Sequence, residues 1–310
     1  MTLVIGTDEA GYGPNLGPLA VAATVWHVAA APDVVEETLN AAVADAIPDR
    51  LWGDSKAIYR GGAGLPALER GVLTALSLAD VSPPADWPSL VAAIGASPDH
   101  PPPEQEALGR VRLPRHGQPS DGPLLAATIR RPLADRGVRL LAARCRLVQP
   151  AEFNALLDSG LNKSDILSAI TLDLAAALTS TTTAAEPVVI WCDRHGGRRR
   201  YAAQVSRAFD TPLVSPLEET PTRSRYALDG HRWIEFSVGG ESRIPVAVAS
   251  MTAKYLRELA MLAFNTHWAA RQPGLAATAG YPVDAGRWRN QAAAAIDAAG
   301  ISQDAIWRRA

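Results

Sequence analysis

The sequence has only two cysteines, Cys145 and Cys192. Both lie in apolar runs typical of strands, and neither belongs to a Cys-x-x-Cys or Cys/His pattern, so they indicate buried free thiols rather than a disulfide or a zinc site. No Lys or Arg precedes Arg50, and the early apolar runs are shorter than a membrane span requires. We therefore expect a cytoplasmic protein without a signal peptide or a membrane anchor.

An excess of charge of one sign is also missing, because 30 Lys and Arg nearly balance 32 Asp and Glu and leave a net charge of -2. Any contact with nucleic acid therefore needs a local basic patch rather than an overall basic field. Lysine itself is scarce and occurs only at Lys56, Lys163 and Lys254. Each lies in a short polar motif, where a compact ammonium differs in function from the planar fork of arginine.

The opening stretch, residues 3–26, reads LVIGTDEAGYGPNLGPLAVAATVW and predicts a strand, a tight glycine turn and a second strand. Asp8 and Glu9 stand where the first apolar run ends. Neighbouring side chains on a strand point to opposite faces, so we expect the two acids to share one centre only if the strand ends between them. Two hard carboxylates beside a turn suit Mg2+ or Mn2+. The glycine spacing does not fit a dinucleotide fingerprint, and a Walker loop is absent.

The segment DEAGYGPNLGPL resembles the opening signature of the type 2 ribonucleases H, the family of ribonuclease HII and its relatives. The resemblance covers roughly residues 2–60 and 138–285. It continues in three further motifs: DSK at 54–56, the apolar run PVVIWCD at 187–193, and ESRIPVAVASMTAKYLRE at 241–258. Three positions depart from the family pattern. Glu241 and Glu258 stand where the family usually has Asp, although an alignment moved by one residue would place Gly240 instead of Glu241 there. Tyr12 stands where family members that cut at a lone ribonucleotide usually have Arg.

The resemblance implies an α/β ribonuclease H-like fold with a mixed five-stranded sheet flanked by helices. It implies a monomeric endonuclease that cuts the RNA strand of RNA/DNA hybrids, or duplexes with embedded ribonucleotides, and leaves 5'-phosphates. Two Mg2+ or Mn2+ would serve as cofactors. The implied catalytic and metal-binding residues are Asp8, Glu9, Asp193 and Glu241. The implied substrate-binding residues are Gly11, Tyr12, Gly13, Ser55, Lys56, Lys163, Lys254 and Tyr281.

Simpler interpretations exist for several of these motifs. The Asp8-Glu9 pair is consistent with solvation of a hairpin loop, the DSK motif with a helix N-cap, and Tyr281 with closure of a C-terminal helical layer. Asp193 is harder to explain in this way, because an uncompensated charge at the end of a buried strand is costly. Two other functions remain open: a non-catalytic nucleic-acid-binding protein in which Glu241 no longer completes the site, and a metal-dependent nuclease for DNA or structured RNA.

The remaining chain predicts a strand at 138–148, a long helix at 166–178 and a hairpin around Asp229-Gly230. Residues 82–122 are rich in proline, which predicts a flexible insertion outside the core with at most a short helix at 87–95. We expect a catalytic domain at 1–270 that contains this insertion, and a C-terminal helical extension at 271–310 packed on the core.

Overall fold

A computed structural model describes residues 1–59, 64–96, 101–179 and 186–309. Seven strands lie in this part of the chain: β1 Thr2–Ala10, β2 Leu19–Val28, β3 Val138–Val148, β4 Val188–Asp193, β5 Ser215–Glu219, β6 Arg223–Ala227 and β7 Arg232–Ser237. Its α-helices are α1 Val35–Ala46, α2 Ser55–Ile58, α3 Gly64–Leu78, α4 Trp87–Ala93, α5 Gln105–Gly109, α6 Asp121–Asp135, α7 Pro150–Asp158, α8 Lys163–Thr179, α9 Ala202–Ala208, α10 Ile244–Arg271, α11 Pro282–Ala298 and α12 Gln303–Ile306.

One mixed sheet contains all seven strands in the order β3-β2-β1-β4-β7-β6-β5. β1 is antiparallel to β2 and parallel to β4, and β4 is parallel to β7. Since parallel strands end at the same edge of a sheet, the carboxyl ends of β1, β4 and β7 lie side by side. The predicted opening hairpin and the predicted strand at 138–148 are both confirmed.

The prediction of a mixed sheet flanked by helices is confirmed, but the described residues form seven strands rather than five. The two strands beyond β7 are β5 and β6, joined as an antiparallel hairpin. β5 is mostly exposed, contains Pro216 and has a register irregularity at that residue. It therefore shows none of the alternating apolar pattern by which a strand is recognised in a sequence.

Helices cover both faces of the sheet. The larger apolar cluster lies between one face and α3, α6 and α10, and a second cluster lies between the other face and α8 and α9. The N-terminus of α10 reaches the backbone of β1 directly, because a Cβ on Gly6 would lie 2.2 Å from the carbonyl carbon of Pro245. The hydroxyl of Thr24 on β2 also donates a 2.7 Å hydrogen bond to the carbonyl oxygen of Pro245.

The prediction that residues 82–122 form a flexible insertion outside the core is wrong for the part that the structure describes; residues 97–100 lie outside it. Eight apolar residues of this segment are buried in the larger cluster, and the large aliphatic side chains among them are Leu90, Val91, Ile94, Leu108, Val111 and Leu113. Each such side chain contributes about 1.5–3 kcal/mol on burial. The prolines interrupt long helices but leave room for two short ones, α4 and α5, which carry part of this apolar set, including Leu90 and Leu108.

A buried carboxylate holds the end of the same segment. Glu69 on α3 accepts hydrogen bonds from the backbone N–H groups of Arg115 and His116, at 2.7 and 2.6 Å, and from the hydroxyl of Tyr255 on α10, at 2.7 Å. These three donors satisfy a side chain that is only 1% exposed. The proline-rich segment is thereby connected to two helices of the core.

The second half of α10 packs against α11 and α12 through a separate apolar cluster centred on Trp268 and Trp288. The domain boundaries at 270 and 271 stay a prediction. In the described part of the chain, no helix combines the length and the apolar composition that crossing a bilayer demands.

Candidate functional site

A cavity of about 690 Å³ opens at the carboxyl ends of β1 and β4. Every residue predicted to belong to the site lines it except Lys163; the lining set includes Asp8, Glu9, Gly11, Tyr12, Gly13, Ser55, Lys56, Asp193, Glu241, Lys254 and Tyr281. Lys163 lies beside it, with its Nζ atom 4.9 Å from the centroid of the Tyr12 ring. Residues far apart in sequence are therefore neighbours at this edge.

β1 positions the first two acids. The strand continues through both of them to Ala10, so the condition that the sequence set for a shared centre, a strand end between Asp8 and Glu9, is not met. Asp8 is buried on the face covered by α10, whereas Glu9 is half-buried and points to the other face. Both still reach the cavity, because they lie near the carboxyl end of β1, where the cavity opens. The Oδ1 atom of Asp8 accepts a 2.7 Å hydrogen bond from the N–H of Glu9.

β4 places Asp193 beside Asp8. The last registered pair of these parallel strands is Thr7 with Cys192, and the two acids are the next residues on each strand. The Oδ1 atom of Asp193 accepts a 2.9 Å hydrogen bond from the N–H of Gly240, which opens a 3-10 turn at Gly240–Ser242. That turn brings Glu241 to the same edge.

Glu241 is held by two serine hydroxyls. Its Oε1 atom accepts a hydrogen bond from Ser250 on α10 and a weaker one of 3.3 Å from Ser55 on α2. Ser55 is 3% exposed, so of the two residues predicted to contact phosphate only Lys56 is exposed. The capping interpretation of the DSK motif also holds in part, because the Asp54 side chain accepts hydrogen bonds from the N–H groups of Lys56 and Ala57.

Crowding of these acids shifts their protonation. Burial, followed by the charges of Glu9 and Asp193, raises the pKa of Asp8 well above its ordinary value. Burial and the charge of Asp193 raise the pKa of Glu9 to about 7. Burial also raises the pKa of Asp193. Burial alone would lower the pKa of Lys56, but Glu241, Asp8 and Asp193 raise it. The single positive charge of Lys56 is smaller than the negative charge that these four acids would carry when all are ionised.

The donor set fits a hard divalent cation, since it consists of carboxylate oxygens that repel one another. The described residues nevertheless contain no group of three or more His, Cys, Asp or Glu side chains already arranged to hold a metal ion. One oxygen of Asp193 accepts a hydrogen bond from the Gly240 N–H, and one oxygen of Glu241 accepts a hydrogen bond from the Ser250 hydroxyl.

Two tyrosines flank the glycine turn. The Tyr281 ring is 57% exposed, and its Cε1 atom lies 3.7 Å from where a Cβ would stand on Gly13. Tyr12 is half-buried beneath Lys163, and its hydroxyl lies 3.2 Å from where a Cβ would stand on Gly196. Tyr281 is therefore free to meet a ligand with its face, whereas one side of Tyr12 is already covered by protein.

A second charged group lies along α10 in the same cavity. Lys254 Nζ is 3.1 Å from Glu258 Oε1 and 4.2 Å from the centroid of the Tyr59 ring, and the Tyr59 hydroxyl donates to Glu258 at 3.2 Å. Sequence reasoning assigned no role to Tyr59, which has no motif of its own. Lys254 is thus paired with a carboxylate, unlike Lys56, which faces the acidic cluster.

Arg243 fixes the turn that carries Glu241. Its guanidinium forms ion pairs with Glu235 on β7 at 2.8 Å and with Glu36 on α1 at 3.0 Å, and it lies 4.9 Å from the centroid of the Trp191 ring. Glu235 is only 7% exposed. Removing its charge would take from Arg243 the more buried of these two carboxylate partners, so Glu235→Gln would not be a neutral control for a Glu241 variant.

Comparison with known proteins gives structural similarity only. No protein-family model and no curated protein sequence matches the chain. The chain is similar to the ribonuclease H2 from Pyrococcus horikoshii OT3, with 15% identity, a TM-score of 0.48 and coverage of 98% of this chain and 92% of that chain. It is also similar to RNase HII in the PCNA:RNase HII complex from Archaeoglobus fulgidus, with 15% identity, a TM-score of 0.44 and coverage of 99% and 94%.

A third similar structure is Bst-RNase HIII in complex with Mn2+, with 14% identity, a TM-score of 0.46 and coverage of 99% of this chain and 66% of that chain. The family that the motifs resemble is thus also the family of these similar structures, at identities of 14–15% and TM-scores of 0.44–0.48. At these identities the similarity concerns the architecture, and the chemistry depends on the side chains of the site.

Proposed function

We propose that this chain is a divalent-metal-dependent endonuclease that hydrolyses the RNA strand of RNA/DNA hybrids and leaves 5'-phosphates. The observation that carries the proposal is the acidic cluster of Asp8, Glu9, Asp193 and Glu241 at one edge of the sheet, in a cavity that also contains a glycine turn and an exposed ammonium. A cluster with so much unbalanced negative charge is costly to maintain unless a cation is bound.

The four carboxylates would hold Mg2+ or Mn2+, which when bound would lower the pKa of an attacking water and stabilise the leaving 3'-oxygen. No side chain then needs to act as a nucleophile. Asp8 and Asp193 lie on adjacent strands, one residue beyond the registered pair of Thr7 and Cys192, so the ladder of the sheet fixes their relative position. Glu241 has one methylene more than Asp. Its carboxylate would give up the hydrogen bond from the Ser250 hydroxyl in order to bind the metal.

Lys56 and the glycine turn supply the contacts to the substrate. The Lys56 ammonium is exposed beside the acids and offers three N–H donors to a phosphate oxygen. Gly11 and Gly13 allow the backbone to approach a ribose closely, which is the contact by which a 2'-hydroxyl distinguishes RNA from DNA. The exposed ring of Tyr281 next to Gly13 suits stacking on a sugar or base at that position.

The test is cleavage of four matched duplexes: an RNA/DNA hybrid, a DNA duplex with one ribonucleotide, an all-DNA duplex and an all-RNA duplex, each with Mg2+, Mn2+ or EDTA. We expect metal-dependent cutting of the first two only. Asp8→Asn and Asp193→Asn should each remove this activity, whereas Glu37→Gln, on the exposed face of α1, should retain it.

The outcomes separate the proposed function from its alternatives. Cutting of all-DNA or all-RNA duplexes at a similar rate would replace hybrid specificity with general metal-dependent nuclease activity. Binding of hybrid without cutting in either metal would indicate a non-catalytic nucleic-acid-binding protein. Retention of near-normal turnover by Asp193→Asn would remove that residue from the reaction.

A further inference from the structure

Residues 307–309, here called the 307–309 segment, lie against residues 11–16 of the glycine turn, here called the 11–16 loop. Leu16 and Trp307 form an isolated antiparallel bridge. The N–H of Arg308 donates to the Asn15 carbonyl oxygen at 2.8 Å, and the Asn15 side-chain amide donates to the Arg308 carbonyl oxygen at 2.9 Å. The chain thus returns, almost 300 residues later, to pair with the loop that borders the acids.

The Arg308 side chain extends this contact beneath the loop. It is 1% exposed, and its Nη2 atom donates a hydrogen bond to the carbonyl oxygen of Gly11. Its guanidinium carbon lies 5.2 Å from the centroid of the Phe153 ring. Since burying a guanidinium is costly, the Gly11 carbonyl and the aromatic ring are the interactions that offset this cost.

The direction of this hydrogen bond fixes one peptide group. In a trans peptide the C=O and N–H groups point in opposite directions, so a Gly11 carbonyl turned towards Arg308 turns the N–H of Tyr12 to the opposite side. Gly11 itself adopts φ +87°, and a Cβ there would lie 2.7 Å from the carbonyl oxygen of Pro18. The peptide between Gly11 and Tyr12 borders the cavity, so its orientation decides whether a donor faces the ligand.

The 307–309 segment is held by α7, and the chain at the end of the 11–16 loop is held by α10. Asn154 on α7 donates to the Trp307 carbonyl oxygen at 2.7 Å and accepts from the Arg309 N–H at 2.9 Å. On the other side, Arg257 on α10 donates to the carbonyl oxygens of Pro18 at 2.6 Å and Leu16 at 3.1 Å. The 11–16 loop is therefore held between two helices rather than by its own turn alone.

We propose that Arg308 is a positioning residue that orients the peptide between Gly11 and Tyr12 for contact with the ribose of the substrate. The inference rests on the proposed function for its choice of ligand, a ribose 2'-hydroxyl at the cleavage site. Arg308 does not line the cavity and acts only through the loop. Its neighbour Arg309 provides a matched control, because the Arg309 side chain bonds to Asn154 and Asp158 and not to the loop.

The first measurement is amide hydrogen exchange of the metal-free full chain under native conditions, comparing Arg308→Met with Arg309→Met. Losing one hydrogen bond to a charged group should speed exchange of the Tyr12, Asn15 and Leu16 amides about tenfold in Arg308→Met. Arg309→Met should leave those amides unchanged. Equal exchange in both variants would overturn the positioning role, whether or not the protein cleaves nucleic acid.

The second measurement is the preference for one embedded ribonucleotide over the RNA/DNA hybrid, as a ratio of kcat/KM. Arg308→Met should lower this ratio about tenfold with an unchanged Mn2+ requirement. A proportional loss on every substrate, or a changed metal requirement, would overturn the inference. Arg308→Lys keeps the charge but loses the planar fork, so it should fall between wild type and Arg308→Met; it replaces Arg308→Met in both measurements if that variant does not fold.

Discussion

Replacing Glu9 by Gln is expected to stabilise the metal-free protein at neutral and alkaline pH. Glu9 is half-buried, and burial together with the charge of Asp193 raises its pKa from 4.5 to about 7. The folded protein therefore binds a proton on Glu9 more tightly than the unfolded chain does. Gln keeps the size of the side chain and removes the charge that the cluster opposes.

The sign of the effect follows from proton linkage. A folded-state pKa above the unfolded value contributes stability that is complete below the unfolded pKa and is lost as the pH rises through the folded pKa. For Glu9 the loss takes place between 4.5 and about 7. This interval corresponds to at most about 3 kcal/mol. Glu9→Gln lacks the titration, so its advantage should be absent at low pH and complete near pH ~8.

Urea unfolding in EDTA measures this advantage, with the wild type, Glu9→Gln and the exposed control Glu37→Gln compared at several pH values. Glu37→Gln should follow the wild type throughout. Adding Mn2+ should stabilise the wild type more than Glu9→Gln, because the cation offsets the charge that the variant lacks. If the gain in unfolding free energy of Glu9→Gln does not grow with pH, or if Glu37→Gln shows the same gain, the neighbouring acids do not raise the pKa of Glu9.

Three further outcomes are expected. Glu241→Gln should reduce hybrid cleavage far more than Glu37→Gln and leave a residual activity that favours Mn2+ over Mg2+; equal activities in a cleavage assay would remove Glu241 from the site. Tyr12→Arg should shift the ratio of cleavage rates towards a single embedded ribonucleotide over a long hybrid, whereas an unchanged ratio would agree with the cover that Lys163 already gives to that ring. Replacing residues 82–122 by a Gly/Ser linker should destroy cooperative unfolding in urea, because eight apolar residues of that segment are buried in the larger cluster, and a stable folded product would contradict this.

The strands that carry the acids were predictable from the sequence because each combines an apolar run with an abrupt polar end. The run 187–193 could be recognised as buried on both faces, and its final Asp193 stands out against it. The motif around Glu241 identified the fourth acid, and the structure adds what motifs do not contain: the Ser250 hydroxyl that holds its carboxylate. Contacts of this kind depend on the register between elements, which no local pattern encodes.

Two features could not be predicted, for physical reasons that differ. Proline density correctly excluded long helices from 82–122, but the fate of its apolar residues is decided by tertiary packing, which propensity does not include. No sequence pattern distinguishes Arg308 from its neighbour Arg309, and an arginine side chain is normally exposed. The role of Arg308 becomes apparent only in the folded protein, where the 307–309 segment pairs with Asn15.

The direct contact of Gly6 with the first turn of α10 limits how far this helix can move relative to β1. Elsewhere a helix and a sheet are separated by side chains, which can change rotamer and absorb small displacements. Here backbone meets backbone, since even a methyl group on Gly6 would lie 2.2 Å from the carbonyl carbon of Pro245. The strand that bears Asp8 and the helix that bears Ser250 and Lys254 therefore meet at one backbone contact. A displacement at this contact would change the distances between Asp8 and the side chains of that helix.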